Sequence, residues 1–186
     1  MDSEGTGQMN IVCDSAPPND DCENAALTFL GIPTPFTTEN ATTDGIQHAE
    51  CGSQILRDVW FRRTATCTGF MTVDTCELAD YDTMIAVYDG CECPATDERL
   101  LACNDNGDFC DDDGSLVTVP VVEGQCYLVR IGAPPIPMLG EPPSETGIGA
   151  VEFTCVATCL WEIVPDDSLN VSDLLSLLSQ WGDCEE

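Results

Sequence analysis

Tyr81-Asp82-Thr83-Met84-Ile85-Ala86-Val87-Tyr88-Asp89-Gly90 is the stretch that decides the fold. Met84 to Tyr88 is apolar throughout and is closed on both sides by turn-forming Asp, Thr and Gly. A run this short is strand length, and a strand apolar on both faces is one covered on both faces. Working outward, similar runs recur at Asp58-Val59-Trp60-Phe61, Leu101-Ala102-Cys103-Asn104-Asp105 and Gly124-Gln125-Cys126-Tyr127-Leu128-Val129-Arg130-Ile131-Gly132. Short strands separated by Asp, Asn and Gly turns predict an all-β chain, an antiparallel β-sandwich or jelly roll.

The remaining strands follow the same logic. Val59 to Thr64 is one, and Thr68 to Asp74 sets Phe70 and Thr72 against Met71 and Val73. Leu116 to Val121 turns Val117, Val119 and Val121 inward, and Tyr127, Val129 and Ile131 do the same. Val151, Phe153 and Cys155 form the last, while Ala25 to Leu30 and Pro35 to Thr38 are weak strands. Ala133 to Gly147 is proline-rich and suits a surface loop without ladder hydrogen bonds. After Cys155 the period changes. Val171, Leu174, Leu175, Leu178 and Trp181 recur at helical spacing, Asn170 is a good N-cap, Asp173 suits the first turn and Gly182 stops the run. One short helix too small to stand alone is expected there, docked on the sandwich or on a partner. The chain thus divides into an extended arm at 1–18, a β-sandwich at 19–157 and a helical tail at 158–186.

Composition narrows the setting. The 186 residues include 34 Asp and Glu against five Arg and no Lys, for a net charge of −29. Such a surface repels nucleic acid and anionic lipid, and no apolar run is long enough to span a membrane. It also opposes its own compaction, which cations bound to the folded form would relieve. Ca²⁺ is therefore the first ligand to consider, with a halophilic surface as the alternative. Thirteen cysteines occur beside a single histidine, His48, and lack zinc spacing, so they read as disulfides of an extracellular or cell-surface protein. Met1-Asp2-Ser3-Glu4 is acidic rather than a basic and apolar leader, which fits a processed chain or a piece of a longer one.

Several pieces carry a resemblance. They are Asn19-Asp20-Asp21-Cys22-Glu23-Asn24-Ala25, Asp58-Val59-Trp60-Phe61, Tyr81-Asp82-Thr83, Ala86-Val87-Tyr88-Asp89-Gly90, Ala102-Cys103-Asn104-Asp105 and Gly124 to Arg130. In this order and spacing the region resembles the bacterial pre-peptidase C-terminal (PPC-like) domain family and its cysteine-rich secreted relatives. The resemblance implies a jelly-roll β-sandwich acting as an accessory module, with Ca²⁺ or fibrous ligands in some relatives. Asp166-Asp167-Ser168-Leu169-Asn170-Val171-Ser172-Asp173-Leu174-Leu175 is similar to half of a type I dockerin, a Ca²⁺ loop and its following helix. That likeness places Asp166, Asn170 and Asp173 on side-chain ligand slots and Ser168 on the carbonyl slot. Glu162 and Val164 fall on the first two slots, where valine cannot ligate, and Asp167 replaces the glycine of the sharp turn. A retained structural helix clamped by Cys159 and Cys184 is the expected use of this tail.

No nucleophile elbow, zinc-protease helix or phosphate-binding glycine loop occurs, so no enzyme is expected. Gln47-His48-Ala49-Glu50-Cys51 reads as a surface histidine beside a disulfide cysteine rather than a His–Cys nucleophile pair. The first metal candidate is the acidic loop Asn104-Asp105-Asn106-Gly107-Asp108-Phe109-Cys110-Asp111-Asp112-Asp113-Gly114, where Asn104, Asp105, Asn106, Asp108 and Asp111 supply oxygens close together for Ca²⁺. Asn19-Asp20-Asp21 with Asp82 forms a second. Asn40-Ala41-Thr42 and Asn170-Val171-Ser172 match the glycosylation sequon. At least five disulfides are expected, with Cys22–Cys51 and Cys159–Cys184 as named pairs and Cys103 as a partner of Cys91 or Cys93. Met9, Ile11, Val12 and Cys13 make the arm an apolar strand that needs a cover, and Cys13 is the candidate for an intermolecular bond. The resulting expectation is a structural subunit of a surface fibre, tube or layer, a head-to-tail homopolymer joined through its arm. The alternative is an accessory module that binds an extracellular surface or fibrous ligand for a larger secreted protein.

Overall fold

The computed structural model describes residues 15–108, 110, 113–135 and 146–158. Within them the chain is mostly strand, arranged in two sheets. The strands are β1 (Ala26–Leu27), β2 (Thr34–Thr37), β3 (Leu56–Thr64), β4 (Gly69–Asp74), β5 (Met84–Asp89), β6 (Leu100–Asn104), β7 (Leu116–Val121), β8 (Cys126–Ala133) and β9 (Ile148–Ala157). One sheet runs β1-β3-β8-β5-β6 and the other β2-β9-β4-β7. All pairings are antiparallel except β1 on β3. Helical turns among the described residues are three short 3₁₀ segments. The proposed helix at 170–182 lies outside the described residues.

The main core draws on both sheets and is built by alternation. Val59, Phe61, Ile85, Val87, Val129 and Ile131 come from the five-stranded sheet. Met71, Val73, Val117, Val119, Val121, Val151 and Phe153 come from the other. Burying each large side chain of this set contributes about 1.5–3 kcal/mol. Phe70, Thr72, Thr118 and Thr154, at the intervening positions, stay on the outer side of their sheet with at least part of each side chain in water.

The apolar run Met84–Tyr88 is covered on both faces, as its composition requires. Ile85 and Val87 join the main core. Met84, Ala86 and Tyr88 point the other way, into a second cluster with Trp60, Leu128, Ile55, Ala25 and Ala95. Among the described residues no third sheet covers that face. Irregular segments around Cys22, Cys51 and Cys93 do so; the Cys51–Cys103 bond ties one of them to β6, and the Cys22–Cys93 bond joins the other two.

Among the described residues five disulfides join Cys22 to Cys93, Cys51 to Cys103, Cys67 to Cys155, Cys76 to Cys110 and Cys91 to Cys126. The number meets the expectation, but the pairing corrects it. Cys22 does not bond Cys51. The two weak strands between them do not form one unit that a clamp could close: β1 adds to β3 in one sheet and β2 to β9 in the other. Cys103 bonds neither Cys91 nor Cys93. It faces Cys51 across the outer cluster, while Cys91 follows β5 directly and meets Cys126 at the start of neighbouring β8. Cys13, Cys159 and Cys184, and with them the proposed Cys159–Cys184 clamp, lie outside the described residues.

Candidate functional site

The loop from β6 to β7 carries the first metal candidate. Asn104 is used structurally: its Oδ1 accepts from the Leu116 amide at 3.2 Å and its Nδ2 donates to the Asn106 carbonyl at 3.0 Å. The loop is closed by Gly107 N–H on the Gly114 carbonyl and by Cys110 bonded to Cys76. Gly107 lies so close to Cys110 Sγ that a Cβ there would collide with it. This closure partly buries Asp105, and burial holds its carboxyl above the usual range. Asp105 Oδ1 is buried without a hydrogen-bond partner, an oxygen that a cation would satisfy. Asn106 and Asp108 are exposed. Asp111 lies outside the described residues. No group of three or more His, Cys, Asp or Glu side chains with room for a metal is assembled among the described residues.

The second candidate set is not among any metal-holding group of three or more such side chains in the described residues. Asp20 is buried, and Thr42 occupies both of its oxygens, the amide at 2.6 Å on Oδ1 and the hydroxyl at 3.1 Å on Oδ2. Asp21 is exposed beside the turn at Cys22, and Asp82 sits half-buried just ahead of β5. Asp20 therefore positions the segment after β2 rather than offering a ligand.

A larger polar constellation lies on the outer face of the five-stranded sheet. Arg130 of β8 is fully buried. Its Nε donates to Asp58 Oδ2 at 2.9 Å and its Nη2 to Oδ1 at 3.3 Å. The remaining N–H groups reach carbonyls: Nη1 to Ile46 at 2.7 Å, and Nη2 to Gly45 at 3.0 Å and Ile55 at 2.7 Å. The guanidinium carbon also lies 5.5 Å from the Trp60 ring centre. One side chain thus ties the irregular 38–55 segment to the centre of the sheet. Gly45 is required there, because a Cβ would strike the guanidinium. Burial pushes the Asp58 carboxyl up to about 6, against the downward pull of Arg130. Asp44 completes the group, accepting from Trp60 Nε1 at 2.7 Å and from the Cys22 amide at 3.1 Å.

His48 corrects the surface reading: it is almost wholly buried. Nδ1 lies 2.6 Å from Asp97 Oδ1 and Nε2 2.9 Å from the Tyr88 hydroxyl. A carboxylate only accepts, so Nδ1 is the donor, and in the neutral tautomer Nε2 accepts from the phenol. Burial pushes the Tyr88 hydroxyl up to about 12, with Arg130 opposing. Cys51 is bonded to Cys103, so no His–Cys nucleophile pair exists here. Neither Arg130 nor His48 was recognised as a keystone in the sequence. For Arg130 the available signal was a charged residue with an apolar neighbour on each side, Val129 and Ile131; His48, between Gln47 and Ala49, carried no such signal.

One open groove of about 570 Å³ runs along the β2–β9 side of the four-stranded sheet. Pro35, Leu78, Ala79, Ile148 and Ala150 give it an apolar lining, with Glu77 and Asp80 as acidic members. The arm residues Met9, Ile11, Val12 and Cys13, and the dockerin-like tail, lie outside the described residues. Among the described residues no helix is long and apolar enough to cross a membrane. No protein-family model and no curated protein sequence matches the chain.

Proposed function

We propose that this protein is a non-catalytic structural subunit of an extracellular assembly, its two sheets packed as a jelly-roll β-sandwich of the PPC-like kind. The observation that carries the reading is the distribution of the disulfides. They link residues 34 to 88 positions apart and fasten both the sheets and the irregular cover of the second core. A body cross-linked in this way persists outside cells, where oxidation is maintained and folding assistance is absent. The arm at 1–18 then joins subunits head to tail by strand addition. Three edge strands are poor acceptors: β1 has two residues, β2 contains Pro35 and β7 contains Pro120. β6 (Leu100–Asn104) is longer than β1 and free of proline, with Leu101 exposed, which makes it the acceptor edge. Ca²⁺ bound at the Asp105 loop reduces repulsion between subunits of charge −29.

The groove beside β2 and β9 favours a second reading, an accessory module that binds an extracellular surface or fibre. Electron microscopy of the oxidised chain with Ca²⁺ separates the two. Filaments or tubes are expected from the full chain, and folded monomers from a chain lacking residues 1–16. A full chain that stays monomeric, or a truncated chain that assembles equally well, overturns the polymer and leaves the accessory module.

A further inference from the structure

The outer face of the four-stranded sheet carries an apolar patch at one end. Phe70 on β4 pairs with Pro120 on β7 and with Val156 on β9, so the three form one row across three strands. Val122, one residue past the end of β7, is exposed as well. Phe70 is 48% exposed, Val122 48% and Val156 67%, large values for three apolar side chains standing together. The next rows along the strands are Thr118-Thr72-Thr154 and then Leu116-Asp74-Glu152. Four residues of strand put the carboxylates about 13 Å from Phe70. The row of Phe70, Pro120 and Val156 is therefore uncharged, and the row at the other end of the strands carries Asp74 and Glu152.

β9 is the last described strand, and it leaves the sheet at the apolar end. The Thr158 amide still bonds the Thr68 carbonyl, so the chain departs within two residues of Val156. Residues 159–186 follow. Their sequence carries the helical stripe Val171, Leu174, Leu175, Leu178 and Trp181, and no charged residue between Leu174 and Gly182. The acidic residues of the tail lie outside that interval. Residues 159–169 reach up to about 36 Å when extended, ample to turn back over the sheet. A helix from 171 to 181 would be about 16 Å long, close to the width of the three strands it would cross.

We propose that the C-terminal segment folds back as an amphipathic helix, and that its stripe covers the Phe70–Pro120–Val122–Val156 patch from which the chain itself emerges. The match is one of charge as well as hydrophobicity. The uncharged part of the tail meets the uncharged row, and Asp74 and Glu152 keep the helix from sliding toward the other end. The helix is too short to persist alone, and the patch supplies what it lacks. This inference is independent of the assembly proposed above.

Trp181 reports the contact in the full oxidised chain. Trp161→Phe leaves Trp181 as the one tryptophan besides Trp60, which is buried. In this background Trp181 emission is expected to be blue-shifted and poorly quenched by acrylamide, unchanged over a hundredfold dilution. Val156→Glu, at a residue already exposed and so harmless to the core, should shift that emission to the red and raise quenching several-fold. Removing residues 159–186 should speed amide exchange in β4 and increase binding of an apolar dye. Emission typical of water-exposed indole in the parent overturns the proposal. So does shielding that disappears on dilution, since the cover is then a second copy, or shielding indifferent to Val156→Glu.

Discussion

Arg130→Met removes the guanidinium and keeps a side chain of similar reach. The substitution deletes two donors to Asp58 and the contacts to the carbonyls of Gly45, Ile46 and Ile55. Removing one member of a buried pair costs about 3–5 kcal/mol, since the other charge stays buried alone. That is a large share of the roughly 5–15 kcal/mol that holds an ordinary domain together. pH supplies a signature that packing loss lacks. Asp58 titrates at about 6 in the folded chain against an ordinary 3.8, because burial outweighs the pull of Arg130. A carboxyl raised on folding contributes stability that is full at low pH and lost as pH rises through its folded value. The interval from 3.8 to about 6 is worth about 3 kcal/mol. Without Arg130 the downward pull is gone, so the window of loss extends toward neutral pH. Urea unfolding followed by circular dichroism should show the deficit of the variant growing from pH 5 to pH 8. Asp58→Asn added to Arg130→Met should flatten that slope, and amide exchange in 38–55 should quicken in the single variant. A variant within about 1 kcal/mol of the parent at pH 7, or a deficit independent of pH, refutes the keystone role of Arg130.

Tyr88 predicts alkaline behaviour. Its hydroxyl is pushed up to about 12, so stability is intact below pH 10 and falls by about 3 kcal/mol as pH rises from 10 to 12; Tyr88→Phe should shallow that loss, and an unchanged alkaline profile would contradict the buried phenol. Replacing Cys67 and Cys155 together by Ser opens a link between residues 88 positions apart. The loop-entropy relation gives about 4–5 kcal/mol for that length, and the other links among the described residues reduce it to about 2–4 kcal/mol, readable as a lowered urea midpoint. Ca²⁺ at a hundred times its dissociation constant should add about 2.7 kcal/mol, and Asp105→Asn should abolish the gain. Full recovery of a chelator-treated sample by NaCl of equal ionic strength would reduce the effect to charge screening.

Much of the β architecture was legible in the sequence because alternation is a local property. Met71 and Val73, Val117 to Val121, and Val151 and Phe153 each announce one buried face, and the unbroken Met84–Tyr88 run announces two. The oxidised state followed equally directly from thirteen cysteines without metal spacing. What depends on which strands become neighbours was not legible. Cys22 is closer in sequence to Cys51 than to Cys93, yet the separation of β1 and β2 into different sheets sets the bond. Asp20 looks like a free ligand until Thr42 is folded onto it. His48 looks like a surface residue until β5 brings Tyr88 against it, and Arg130 becomes a keystone only when Asp58 and three carbonyls surround it. Local pattern decides which residues seek burial, since each strand exposes its own faces to solvent or not. Partners of charge, sulfur and hydrogen bonds come from segments tens of residues apart, so only the tertiary structure decides them.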